Sequence, residues 1–352
     1  MAAELGFGTA WIFTAFSAGL LLSAFFGPAA GRLIDVHGGR RVLPVSNLVI
    51  AAGLVLLGVC KGPLSLFAAW LVIGIGMSGG LYEAAFSTLA GIYGAQARRA
   101  ITGITLIAGF ASTVCWPLSA YMDVTIGWRA TCFVWAAAHV LLGMPINLLL
   151  PPGQRHEPAP AAAAAPGRAR GRLLVMVGLS FVFAAGWFSS TAMAAHFPRV
   201  LQEAGASLAA AIAAAALIGP AQVAARVLEF WLMRHLHPIV SARIASLAHP
   251  VGATGLMIAG APAATPFALI HGGGNGVMTI ASGALPLALF GPAGFGLRQG
   301  LLMAPARFIS ASSPFVFDLL LTRFGTGALT VTASLGIAAF VVLMLIPARR
   351  AG

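Results

Sequence analysis

"GRLIDVHGGRRVL", residues 31–43, places Arg32, Asp35, His37, Arg40 and Arg41 between two apolar runs. In a chain of 352 residues of which only 8% are charged, such a cluster marks a boundary. The composition says what it bounds. Hydrophobic residues make up 59% of the chain and the mean hydropathy is +0.95. A soluble domain is nearer about half apolar and about a quarter charged. This much apolar surface needs lipid as its solvent, so the fold class is an all-α integral membrane protein. Cytoplasmic enzymes and nucleic-acid binders are poor fits, and the net charge of +12 calls for a topological explanation instead. Cys60, Cys115 and Cys132 lie in apolar runs without CxxC spacing, which argues against a disulfide framework or a metal. The opening "MAAELGFGTAW" has no positively charged segment before its apolar stretch and does not read as a signal peptide.

Working outward from residues 31–43, a spanning helix needs about 20 mostly apolar residues. Eleven runs qualify: 10–30, 42–60, 64–92, 101–122, 129–150, 172–195, 207–232, 239–260, 265–290, 299–322 and 326–347. They are continuous, without the alternation of a membrane β-strand. With the loop after the first run in the cytoplasm, that side receives fourteen of the 20 Lys and Arg residues, the opposite side four, and Arg226 and Arg307 remain inside spans. The positive-inside rule selects this orientation and accounts for the net charge without any nucleic-acid partner. Residues 151–171, "PPGQRHEPAPAAAAAPGRARG", form the one long polar connection and read as a flexible cytoplasmic linker. The expected organisation is a first half over 1–150, the linker over 151–171 and a second half over 172–352. The C-terminus lies on the linker's side of an inner (plasma) membrane that the chain crosses many times.

The pattern Gly31, Leu33, Asp35, Gly38, Arg40 resembles the signature loop between the second and third helices of the major facilitator superfamily, roughly G-x-L-x-D-R-x-G-R-K. Val36 stands where that pattern has Arg. Gly39 stands where a basic residue is common, and Arg41, two residues on, is placed to compensate. "DVTIGWR", residues 123–129, is similar to the family's short loop before its sixth helix, and the central basic linker matches its two-half layout. The resemblance implies two helical-bundle halves, with Gly31, Asp35, Gly38, Arg40 and Arg41 as a gating motif. It implies that Asp35 takes part in contacts stabilising one state of the cycle, its charge favoured by the N-terminus of helix 11. It also implies that 10–30 is helix 2, so the eleven runs are helices 2–12 of twelve and helix 1 lies outside this sequence as given. Two departures weaken coupling by the family's common routes. "WLVIGIG" has Trp70 in place of the helix-4 Arg, and "GFASTVCWPLSA" keeps only Gly109 and Pro117 of the antiporter pattern.

Charged residues inside a span cost about 2.5–3.5 kcal/mol each on insertion scales and so need a cavity or a partner. Arg226 and Glu229, three apart on one helix face, are placed to pair with one another. Arg226 and Arg307 lie at similar depth, and two guanidinium groups on one cavity would suit a carboxylate. This is similar to the oxalate–formate antiporter and monocarboxylate branch of the family, although Gln222 stands where that branch has an acid. The other reading makes Arg226 and Glu229 a structural pair at the cytoplasmic gate, and Arg307 a gate residue. "GGLYEAAFS" supplies Tyr82 as a hydrogen-bond donor to substrate and Glu83 as a proton-coupling candidate, unless Glu83 is an end-of-helix carboxylate paired with Arg98 or Arg99. His271 and Asn275 in "HGGGNGVMTIASG" share a face as substrate lining, or else bond between helices at a packed seam. Asp318 is expected to pair with Arg323; His139, His196 and His249 are isolated in sequence. No phosphate-binding loop, HExxH or GxSxG is present, so no enzyme activity, cofactor or metal is expected. The expected function is secondary active transport of a small organic anion by a monomer, with protons as possible co-substrate. Amphipathic-drug efflux and a non-transporting relative are the rivals.

Overall fold

The computed structural model describes residues 1–6, 8–153, 166–232 and 236–347. Most of the expected linker, and Arg234, Arg349 and Arg350 of the charge count, lie outside the described residues. Among the described residues all regular structure is helical. In chain order the α-helices are α1 (Ala2–Leu5), α2 (Thr9–His37), α3 (Gly39–Gly58), α4 (Pro63–Ser78), α5 (Tyr82–Tyr93), α6 (Ala97–Gly109), α7 (Ala111–Ala138), α8 (Met144–Leu148), α9 (Pro166–Glu203), α10 (Leu208–Ala216), α11 (Ile218–Leu232), α12 (Pro238–Ala259), α13 (Ala264–Phe290), α14 (Phe295–Phe324) and α15 (Leu329–Leu345). By length and apolar composition, eight helical runs among these residues can cross a membrane, against the eleven spans expected. Two of the eight, Pro63–Gly109 and Phe295–Leu345, are far longer than one crossing needs and are interrupted, after Ser78 and after Phe324.

The helix boundaries follow local chemistry. Between α2 and α3 the chain turns at Gly38, whose φ of +78° is open to glycine and strained for other residues, and its N–H returns to the Ile34 carbonyl at 2.8 Å. α4 starts with Pro63 at its first position, and the Ser65 hydroxyl accepts from the Gly62 N–H at 3.2 Å. Ser207 caps α10 by accepting from the Ala210 N–H at 3.2 Å. Within α7, Gly127 has φ +80° and ψ 160°, so the "GWR" stretch breaks the helix. Arg129 then donates to the Gly58 carbonyl at 2.7 Å, while Arg129 and Trp128 both donate to Glu4 and hold its carboxyl below the usual carboxylate range. Several hydroxyls inside helices are satisfied within their own turn: Ser87 donates to Glu83 O, Thr131 to Gly127 O and Ser189 to Ala185 O.

The chain forms two compact units. The first contains Met1–Ala97, Thr113–Ala159 and Pro292–Ala304; the second contains Arg98–Ser112, Pro160–Gly291 and Pro305–Gly352. In lipid the hydrophobic effect does not drive helices together, so packing depends on small residues that let backbones approach. In the first unit a Cβ at Gly74 would strike the Gly19 backbone, and one at Gly19 would meet the Trp70 carbonyl. Gly76 and Gly80 similarly rest against Ile50 and Ser46, and Ser46 donates to the Gly76 carbonyl at 2.7 Å. In the second unit Gly274 rests on Ala248, Gly276 on the Gln222 backbone and Gly336 on Pro250. Large apolar side chains such as Leu64 (87% exposed), Phe13 and Phe25 point outward, as lipid-facing residues do.

Gly74→Ala is expected to cost about 1–3 kcal/mol through overpacking, whereas Gly91, with no neighbour where its Cβ would stand, should accept Ala at no loss. Thermal unfolding of both variants in one detergent checks the contrast; equal melting temperatures would contradict the packing.

Candidate functional site

The opening stretch meets the start of α14 inside the first unit. Gly31 on α2 and Gly296 on α14 lie backbone against backbone; a Cβ on either would run into the other's carbonyl. One turn on, Gly300 sits against Gly27 and Pro28. This approach puts Asp35 over the first turn of α14. Its Oδ1 accepts from the Gly296 N–H at 2.8 Å and its Oδ2 from the Leu297 N–H at 2.9 Å. These are two of the donors that a helix N-terminus leaves without an intrahelical partner, and the helix dipole favours the carboxylate there. Gly39 is held for a different reason, since a Cβ there would strike the Thr88 side chain. Arg32, Arg40 and Arg41 are exposed, consistent with a topological use of their charge.

A second cluster lies in the second unit. Glu229 of α11, 3% exposed, is bridged by Arg98 of α6 at 3.0 Å and accepts from the Ser241 hydroxyl of α12 at 3.3 Å. Arg98 also donates to the Leu236 carbonyl at 2.5 Å. The ion pair seen at Glu229 is thus with Arg98, where the sequence spacing pointed to Arg226. Arg226, 4% exposed, donates to the backbone carbonyls of Thr105 at 2.9 Å and Gly276 at 3.4 Å. It therefore ties α6, α11 and α13 together. A Cβ at Gly109 would collide with its guanidinium, which gives that glycine a packing role.

The third cluster surrounds a small cavity in the second unit, lined by α9, α12, α13 and α15. His271 and Asn275 both line it, as their shared helix face implied, together with His249, Ser189, Ser190 and Ser246. His249 was not recognisable as a partner from sequence. Its Nδ1 lies 2.9 Å from Nδ1 of His271, and its Nε2 lies 2.8 Å from the Thr332 hydroxyl. Three helices supply this chain of contacts, so no spacing within one helix reports it; the one signal was a lone histidine inside an apolar run, which needs a partner. Neither Arg226 nor Arg307 lines this cavity. Arg307 is half-buried on α14, and Tyr82 lies in the first turn of α5 with its ring 5.5 Å from that of Phe86. Glu83 is half-buried in the same turn. Asp318 pairs with Arg199 at 2.6 Å, correcting the expected pairing with Arg323, whose guanidinium stands over the Phe324 ring. His139 bonds Asn47 and His196 bonds the Pro314 carbonyl, so neither is isolated in space.

The sequence profile described as "Major Facilitator Superfamily" matches residues 1–292. The chain belongs to the major facilitator superfamily. It is accordingly a membrane transporter, not an enzyme. Among solved structures it is similar to the human organic anion transporter MFSD10 (TETRAN), with a TM-score of 0.74, 17% identity, and coverage of 97% of this chain and 87% of that one. It is also similar to the proton:xylose symporter XylE, with a TM-score of 0.76, 14% identity, and coverage of 99% and 90%. The E. coli fucose:proton symporter FucP gives a TM-score of 0.68, 16% identity, and coverage of 97% and 94%. At these identities the similarity establishes the fold. No curated protein matches the chain in sequence.

Asp35→Asn removes the charge from both contacts to α14. Charge-assisted bonds of this kind contribute about 1.5–3 kcal/mol, so amide exchange across 292–300 should accelerate roughly ten- to hundredfold while α12 stays protected. Hydrogen-exchange mass spectrometry reads this directly, and unchanged exchange would refute the contact's importance. Arg98→Gln strands a buried carboxylate and is expected to lower stability by about 3–5 kcal/mol. Adding Glu229→Gln should restore part of that loss in denaturant unfolding, and no restoration would mean that the pair is not the coupling term.

Proposed function

We propose that this chain is a secondary active transporter that moves a small organic anion, a carboxylate, by alternating access. The observation that carries the anion is the polar lining of the second-unit cavity: His249, His271, Asn275, Ser189, Ser190 and Ser246, with no Asp or Glu among the lining residues. Ser189 and Ser246 direct their hydroxyl protons to the Ala185 and Arg243 carbonyls, so the donors left for a carboxylate, which can only accept, are the Asn275 amide and the Ser190 hydroxyl, joined by His271 Nε2–H when that ring is protonated. A cavity lined in this way favours an anion over an organic cation.

In this reading His271 and Asn275 contact the substrate, and Arg307, on α14 of the same unit but outside the cavity lining, is a further substrate-binding residue that engages as the cavity changes shape. Arg226, with its donors on two carbonyls, is assigned a holding role. Asp35 against α14 and Arg98 against Glu229 are contacts that must open and close as the halves, 1–150 and 172–352, alternate about the substrate. The driving force is a gradient of an ion or a second substrate, since the sequence carries no nucleotide-binding motif. The arginine distribution puts the linker and the C-terminus on the cytoplasmic face of the inner (plasma) membrane, and the working unit is a monomer.

Proteoliposomes containing the full chain test this with ¹⁴C-labelled mono- and dicarboxylates. Uptake should exceed that of protein-free vesicles. Losing a bidentate guanidinium contact in Arg307→Gln, or the amide donor in Asn275→Ala, should raise KM by roughly ten- to hundredfold, the equivalent of about 1.5–3 kcal/mol. Parent-like KM in both variants, or transport restricted to uncharged amphipathic compounds, would overturn the anion reading.

A further inference from the structure

The contacts around His249 fix where its protons are. Thr332 Oγ1 lies 3.0 Å from the Leu329 carbonyl, which can only accept, so the hydroxyl proton is directed there. The same oxygen, 2.8 Å from His249 Nε2, must then accept, which places a proton on His249 Nε2. In neutral His249 the Nδ1 is therefore a bare acceptor. His271 Nδ1, 2.9 Å away, supplies the proton between them. A neutral His271 with its proton on Nδ1 has its remaining lone pair on Nε2. The tautomers of both rings thus follow from one hydroxyl–carbonyl contact.

We propose that His249 and His271 form a proton-carrying dyad, which takes up one proton at His271 Nε2 and delivers it with the transported anion. The chemistry of uptake is a simple transfer: a hydronium ion reaching the cavity gives its proton to the Nε2 lone pair and leaves as water, and the reverse step discharges it on the other side. The imidazolium that forms keeps its Nδ1–H bond to His249. It also lies near two aromatic rings, with ring centres 6.0 Å from Phe197 and 5.9 Å from Phe267, the Phe197 pair being stacked. The anion in the adjoining cavity provides the opposite charge, so proton and anion each favour the other's presence. This last step rests on the anion reading, whereas the tautomer chain does not.

No other titratable group among the described residues competes for this role from the helices packed around the dyad. α13 and α15 carry no further ionisable side chain, and α12 adds Arg243, which donates to the Leu343 and Ile346 carbonyls. On α9, His196 bonds the Pro314 carbonyl and Arg199 bonds Asp318, and its Arg170, Arg172 and Glu203 are outside the cavity lining. On α11, Arg226 and Glu229 are engaged with backbone carbonyls and with Arg98. The proposal moves the proton from Glu83, the candidate that the sequence suggested, to a pair of rings on α12 and α13.

The test is ¹⁵N NMR of the full chain, labelled at histidine and reconstituted in nanodiscs, from pH 5 to 8, with signals assigned through His249→Gln and His271→Gln. The expected result is Nε2–H on His249, Nδ1–H on His271, and one shared protonation step moving both sets of signals together. Two independent steps, no step, or the opposite tautomers would overturn the dyad. Thr332→Val keeps both rings and removes only the hydroxyl acceptor; it should shift the His249 Nε2 signal, and an unmoved signal would count against the tautomer chain even if the histidine variants failed to fold. In proteoliposomes the same assignment predicts that His271→Gln abolishes pH-driven accumulation of labelled carboxylate, whereas Glu83→Gln retains it. The reverse pattern would return the proton to Glu83. The NMR outcome decides the dyad whether or not any carboxylate is transported, so failure of the anion reading and failure of the dyad are told apart.

Discussion

The backbone contact between Gly31 and Gly296 is the constraint on which the recognisable part of this molecule depends. Without it Asp35 could not bring both carboxylate oxygens to the first two free N–H groups of α14, at 2.8 and 2.9 Å. The contact needs glycine on both sides, because either Cβ would run into the other helix's carbonyl. Close approach places the charge, and the charge satisfies a helix terminus that apolar surroundings would otherwise leave costly. A signature that looks like a string of charges is, in physical terms, a pair of helices held at one spacing. The exposed arginines around it answer to topology instead.

The same reasoning explains the buried charges of the second unit. In hydrocarbon an unsatisfied donor or carbonyl costs several kcal/mol, and each polar cluster described above closes its own account. Arg226 spends its donors on the carbonyls of Thr105 and Gly276, and Glu229 takes Arg98 and Ser241. Ser87, Thr131 and Ser189 turn back on their own helices, while Ser46 and Ser313 bond carbonyls of neighbouring ones. The cavity of the second unit is the exception in kind. Beside it the Asn275 amide and the Ser190 hydroxyl keep donors for a ligand, which is what a ligand site requires and a packed core avoids.

Much of the fold was legible in the sequence because lipid imposes it. Apolar runs of spanning length, the skew of arginine and the spacing of Gly31, Asp35 and Gly38 identified the architecture, and the favourable end of α14 for Asp35 followed from the motif. The span count was less legible. Gly79–Leu81 breaks the helix inside the stretch 64–92 that hydropathy reads as one run, whereas the break at Gly325–Ala328 falls where the sequence separates 299–322 from 326–347. The site was legible where partners share a helix, as His271 and Asn275 do, and illegible where they do not. His249 with His271, Arg98 with Glu229 and Arg199 with Asp318 each join distant segments. Three-residue spacing made Arg226 the obvious partner for Glu229, but tertiary geometry supplied Arg98 instead.

The central claim is that the protein carries negative charge on an organic solute. Solid-supported-membrane electrophysiology on proteoliposomes of the full chain measures this without a label. A concentration jump of a dicarboxylate, which keeps a net negative charge even when one proton travels with it, is expected to give a transient current that saturates with substrate, changes amplitude with pH and is absent from empty vesicles. Silence toward every carboxylate, together with a response to a neutral sugar or an organic cation, would contradict the account.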